Sequence, residues 1–160
     1  MKKFIGFLIF VAIIGIGVVA YYPAIVRYFT VPVDEVDYFK FKYTAGYSKD
    51  TSIIYAAECN QDDVCVATVK LRGVAEEHAP KVDVDRAFMR KIRDIIEENE
   101  VNKWNGFDKT NSRSIKGDAF SIDIRMANNR KIFARGYMKW PKNYSAVREQ
   151  FDQLFKDLVV

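Results

Sequence analysis

The chain has 160 residues, of which 49% are hydrophobic and 29% charged, and its formal net charge is +4. No repeat or low-complexity stretch divides it, so the length suits one folded domain with a short appendage. Leaving out Lys2 and Lys3, 23 basic residues face 21 acidic ones, or +2; a nucleic-acid binder would need a basic stripe with stacking platforms in a compartment that holds nucleic acid, and none is expected as partner.

The chain begins Met1-Lys2-Lys3 and then runs without a charge from Phe4 to Val26, 23 residues. At about 1.5 Å per residue such a helix reaches about 34 Å, enough to cross a bilayer core of about 30 Å. Residues 1–26 are therefore expected to form a transmembrane signal anchor in contact with lipid through residues 4–26. Lys2 and Lys3 stay on the cytoplasmic side, while Arg27 is followed by Asp34, Glu35 and Asp37. The expected location is the inner membrane, in a single pass, with the remainder periplasmic or extracellular. A cleaved signal peptide ending at Val18-Val19-Ala20 is the competing reading, although apolar character continues to Val26. Residues 27–33 read as a juxtamembrane linker stiffened by Pro32. Residues 34–160 read as one extracytoplasmic domain.

The domain opens with Phe39, Phe41, Tyr43 and Ala45 alternating with Lys40, Lys42 and Thr44, a half-buried strand. Ser48-Lys49-Asp50 supplies a turn. Ile53, Tyr55, Ala57 and Cys59 then alternate on a second strand, and Cys65, Ala67, Val69 and Leu71 on a third. With Gln61-Asp62-Asp63 as the loop, Cys59 falls opposite Cys65, Ala57 opposite Ala67, Tyr55 opposite Val69 and Ile53 opposite Leu71. A slip of one residue would turn every side chain to the other face, so this register predicts a Cys59–Cys65 disulfide. Such a bond persists in an oxidising compartment.

After Pro80, Asp85 is a candidate N-cap, with Val84 and Met89 as a hydrophobic staple. Phe88, Ile92, Ile95 and Ile96 form the apolar face of the helix that follows. A second hairpin sets Phe120, Ile122, Ile124 and Met126 against Ile132, Ala134, Gly136 and Met138. Its expected loop is Asn128-Asn129-Arg130, which pairs Met126 with Ile132 and Asp123 with Arg135. Beyond Pro141, Tyr144, Val147, Phe151, Leu154, Phe155 and Leu158 follow helical spacing. The fold class is α+β: a βββαββα order with two helices packed on one side of an antiparallel sheet.

No nucleophile elbow, phosphate-binding glycine loop or two-histidine metal motif occurs. No catalytic residue, metal ligand or cofactor is expected. His78, Asp83 and Trp104 would gain meaning only around a deep pocket, the envelope-hydrolase or small-ligand alternative. The long connection Val101–Gly117 carries Trp104-Asn105-Gly106-Phe107-Asp108. Trp104, Asn105 and Phe107 are candidate partner contacts, with rings folded back on the core edge as the structural alternative. From Arg113 to Lys142 eight basic residues face two acidic ones; a solvated sheet face is the plain reading, and a patch for an acidic partner or phospholipid headgroups, which adds Arg125 and Arg135 to the candidates, is the alternative. A protein partner in the envelope is expected, for an assembly accessory or an immunity-type inhibitor.

Two stretches resemble known families. Gly6-Phe7 with the apolar run Val11-Ala12-Ile13-Ile14-Gly15-Ile16 and Pro23 is similar to the N-terminus of type IV pilins and pseudopilins; the position of that family's glutamate carries Val11. The resemblance implies a pilus- or secretion-associated subunit processed after Gly6. Trp104-Asn-Gly-Phe-Asp, Gly117-Asp-Ala-Phe-Ser-Ile, Ile132-Phe-Ala-Arg-Gly136 and Pro141-Lys-Asn-Tyr144 resemble an uncharacterised domain of small bacterial proteins. That resemblance covers about the last 60 residues and implies a bacterial source but no activity.

Overall fold

A computed structural model describes residues 32–46, 52–111, 113 and 116–158. The expected membrane segment, most of the linker and the Ser48-Lys49-Asp50 turn lie outside them. Among the described residues no helix is long and apolar enough to cross a membrane.

Alternation builds the sheet. Strands β1 (Val36–Thr44), β2 (Ser52–Cys59), β3 (Cys65–Lys70), β4 (Lys81–Val84), β5 (Asp108–Thr110), β6 (Ala119–Met126) and β7 (Lys131–Tyr137) join in the order β4-β3-β2-β1-β6-β7-β5. All neighbours are antiparallel except β5 and β7. The five strands and two helices read from sequence are all present. Two short strands are added, β4 and β5, one at each edge.

Helices α1 (Arg86–Glu98) and α2 (Tyr144–Lys156) cover one face. Asp85 caps α1 by accepting a hydrogen bond from the Phe88 N–H at 2.9 Å. Phe151 packs 4.6 Å from Phe39 and 5.7 Å from Phe41, ring centre to centre. Phe155 lies between Tyr55 and Phe88, which ties both helices to the same sheet face. Phe39, Phe41, Ile92, Ile96, Ile122, Ile124, Phe151 and Phe155 are all sealed from solvent. Burying such side chains is worth about 1.5–3 kcal/mol each, the main force that orders the sheet and helices together.

The first hairpin has the expected register: Cys59 faces Cys65, Ala57 faces Ala67 and Tyr55 faces Val69. The disulfide is formed, with Cα atoms 4.0 Å apart. β3 ends at Lys70, so Leu71 leaves the ladder and does not face Ile53. The Asn60 side chain accepts from the N–H groups of Asp62 and Val64, and Asp63 takes the left-handed conformation at φ 59°.

The second hairpin corrects the sequence reading. Ile124, not Met126, faces Ile132, and Phe133, not Arg135, faces Asp123. The loop is Ala127-Asn128-Asn129, closed by the Met126 N–H donating to the Arg130 carbonyl. The cause is the left-handed position that ends a three-residue loop. Asn129 occupies it at φ 61°, whereas the expected loop would have forced Arg130 there, and asparagine adopts that region far more readily. Because the loop slides by a whole residue on both strands, every inward side chain stays inward.

Candidate functional site

The sheet face opposite the helices is divided in two. Over β2 and β3, residues 71–80 form a strap whose 3-10 turn, Glu76–His78, reaches across to β1. The Glu76 carboxylate accepts from Lys40 Nζ at 2.8 Å. That hydrogen bond holds the Glu76 carboxyl below its ordinary range and raises the Lys40 ammonium above its own. On this half Ile54 is buried, and Lys70, 6% exposed, donates to the backbone and side-chain oxygens of Ser52 at 3.0 Å.

Over β1, β6 and β7 the face is open, and register sets its rows. Tyr38, Arg125 and Lys131 form one; Lys40, Asp123 and Phe133 the next; Lys42, Ser121 and Arg135 a third, extended by Asp108 of β5. The Arg125 guanidinium sits over the Tyr38 ring at 5.0 Å. Arg135 donates to Asp108 Oδ2 at 2.7 Å, which holds the Asp108 carboxyl below its usual range. Phe133, at 46% exposure, is an aromatic side chain left in water among charges. A shallow depression of about 460 Å³ lies beside it, with Lys42, Thr44, Ser121 and Arg135 on its lining.

The five candidate contacts therefore separate. Arg125 and Arg135 share the open face. Trp104 does not: it is 4% exposed, edge-on to Phe120, and its Nε1–H donates to the Lys142 carbonyl at 3.0 Å. Asn105 pins the edge of the sheet, its Oδ1 accepting from the Phe133 N–H at 3.1 Å. Phe107 is half-buried against Phe120. Trp104 thus caps the core edge, as the structural alternative expected.

The exposed ring at this corner is Trp140, stacked on Tyr144 at 4.5 Å and 39% exposed. Sequence reasoning passed over it, and over Tyr38, Lys42 and Phe133. A signal was present for Phe133, because an aromatic residue at the outward parity of a strand has no core to enter. For Trp140, just before Pro141, no periodicity distinguishes it from Trp104.

His78 is exposed on the strap, Asp83 is exposed on β4, and Asp85 is occupied as the cap of α1. Asp83 and Asp85 share the lining of one open depression with Phe88 and Lys91, and His78 lies outside it. Among the described residues no group of three or more His, Cys, Asp or Glu side chains could hold a metal ion. Chemically, the open face offers hydrogen-bond donors and cations around flat apolar rings. Compared with known proteins, the chain matches no family model and no curated sequence.

Proposed function

We propose that this chain is an interaction module, not an enzyme, held at the inner membrane by residues 4–26 with its domain on the extracytoplasmic side, and that its open sheet face docks an acidic protein partner. One observation carries the docking reading. The open half presents Lys40, Lys42, Arg125, Lys131 and Arg135 against Asp108 and Asp123, with Tyr38 and Phe133 between them. With Glu76 of the strap paired to Lys40, five cations against three carboxylates leave a surplus of +2, on a chain whose remainder is close to neutral. Complementary charge steers encounter and fixes register, while exposed rings supply the anchors. A helix-covered opposite face makes the platform rigid.

The Cys59–Cys65 bond supports the placement, because disulfides persist outside the cytosol. So does the uncharged run from Phe4 to Val26. Tethering raises the local concentration of the face for any partner at the same membrane. An envelope-assembly accessory and an inhibitor of an incoming toxin both use a surface of this kind.

The test is a photo-crosslinking amino acid at Phe133 in living cells, followed by membrane isolation. A discrete adduct that weakens in an Arg125→Glu, Arg135→Glu variant supports the reading. Failure of any adduct at Phe133, with the protein recovered in membranes, removes the docking face. Recovery from cytosol with both cysteines alkylated before any reductant removes the placement.

A further inference from the structure

We propose that the free edge of β5 accepts an extended, acidic protein segment as an added strand, so that the partner is gripped by backbone hydrogen bonds as well as by charge. The proposal deepens the docking reading above and rests on it.

β5 is the last strand of the sheet, and all three of its residues are exposed. Its parallel pairing with β7 fixes which backbone groups are used. The Phe107 carbonyl accepts from the Arg135 N–H at 2.8 Å, and the Asn111 N–H donates to the Tyr137 carbonyl at 2.9 Å. Backbone groups alternate sides along a strand, so the N–H and C=O of Asp108 and Thr110 point away from β7, to the open edge. An unpaired edge of this kind is a template for another chain, and natural proteins blunt such edges when they are not used. Among the described residues no proline, bulge or helix covers Asp108–Thr110, and what blunts the edge is its three-residue length and the charges of Asp108 and Lys109.

The two flanks of that edge say what would fit. On the open-face side lies the depression of about 460 Å³, with Lys42 and Arg135. On the other side lies one of about 500 Å³, between Phe107, Lys139 and Trp140. Asp108, Lys109 and Thr110 line both, so the edge runs between them. An added strand would direct alternate side chains into the two depressions. Their charged lining is Lys42, Lys109, Arg135 and Lys139 against Asp108, and Asp108 is already paired with Arg135. Four cations less one carboxylate leave +3 for the newcomer to neutralise. Carboxylates on one side of the added strand and an apolar residue over Trp140 on the other satisfy both flanks.

The probe is a short fluorescein-labelled peptide alternating Glu and Val, titrated by anisotropy against the full chain in phosphatidylcholine nanodiscs. The informative variant is Thr110→Pro. It deletes an N–H that faces the open edge and leaves the bonds to β7 intact, so melting stays with the parent. We expect saturable binding, about tenfold or more weaker in Thr110→Pro and in Lys109→Glu with Lys139→Glu, and none for the matching Lys-Val peptide. Absence of saturable binding to about 1 mM overturns the proposal. So does equal binding by Thr110→Pro, which would mean a cationic patch without strand addition. Self-association abolished by Thr110→Pro would make a second copy of the chain the occupant, and also overturns it. The Phe133 adduct in cells separates the two levels: an adduct that persists in Thr110→Pro leaves the docking face standing and removes the edge.

Discussion

Replacing both Cys59 and Cys65 by alanine removes the one covalent constraint on the β2–β3 hairpin. The bonded cysteines are six positions apart. On the chain-entropy relation a loop of that size corresponds to about 7.4 cal/mol/K, or about 2.2 kcal/mol at about 25 °C. A domain of about 125 residues unfolds with about 2.1 cal/mol/K per residue, so the loss should lower the melting temperature by about 8 °C. Alanine is chosen because Cys65 is buried beside Ala67, where a serine hydroxyl would add its own desolvation cost. The hairpin should keep its register, since Asn60 continues to hold the backbone of Asp62 and Val64. The assay is thermal unfolding of the full chain in detergent by circular dichroism, with reduced parent protein as the second arm. Both arms should fall together. A double variant melting within about 2 °C of the oxidised parent would refute loop closure as the source of stability. A drop beyond about 15 °C would show that packing around Cys65, not chain entropy, is what the bond secures.

Phe151→Ala should cost about 3–5 kcal/mol, because the ring is sealed between Phe39 and Phe41 and no neighbour can fill the space; denaturant titration measures it. Gly136→Ala should cost at least about 2 kcal/mol. An added Cβ there would stand 2.1 Å from the Lys139 carbonyl oxygen and 2.6 Å from Phe120 Cε1, and the first of these is backbone; an unchanged denaturation midpoint would contradict the close crossing. The strap over β2 and β3 should loosen in acid. The Glu76 carboxyl is held below its ordinary value of 4.5 by the Lys40 hydrogen bond, so its contribution is present above that pH and is lost as pH falls through the lower folded value. Lys40 is shifted up from 10.5, so its contribution is present below that pH and is lost only on passing the raised value. Amide protection factors at Ile54 and Lys70 should therefore be flat between these limits and drop in acid, and Lys40→Met should remove the acid step.

Much of the architecture was legible because strands and helices carry different periods. Residues such as Phe39, Phe41 and Tyr43, or Tyr144, Val147 and Phe151, declare their element by spacing alone. β4 and β5 were not legible. Lys81-Val82-Asp83-Val84 does alternate, but four residues between Pro80 and the Asp85 cap read equally as the approach to α1, while Asp108–Thr110 is too short and polar to show a period; both are strands because an edge of the sheet passes close enough to bond them. The candidate site was half legible. Arg125 and Arg135 lie at the outward parity of their strands, which a period of two dictates. Which of two tryptophans is buried was not, since both stand in connections without a period.

The amino-acid order by itself determined the charge balance, the uncharged leading run, the facing cysteines and the inward face of every long strand, because each depends on neighbours in the chain or on one local turn. Only the tertiary structure decided that Trp104 seals the core while Trp140 stays partly in water, that Gly136 admits a crossing carbonyl, and that β5 is the last strand of the sheet among the described residues. Those outcomes depend on which segments meet across long stretches of sequence, where excluded volume and the pairing of backbone groups, not local preference, select the arrangement.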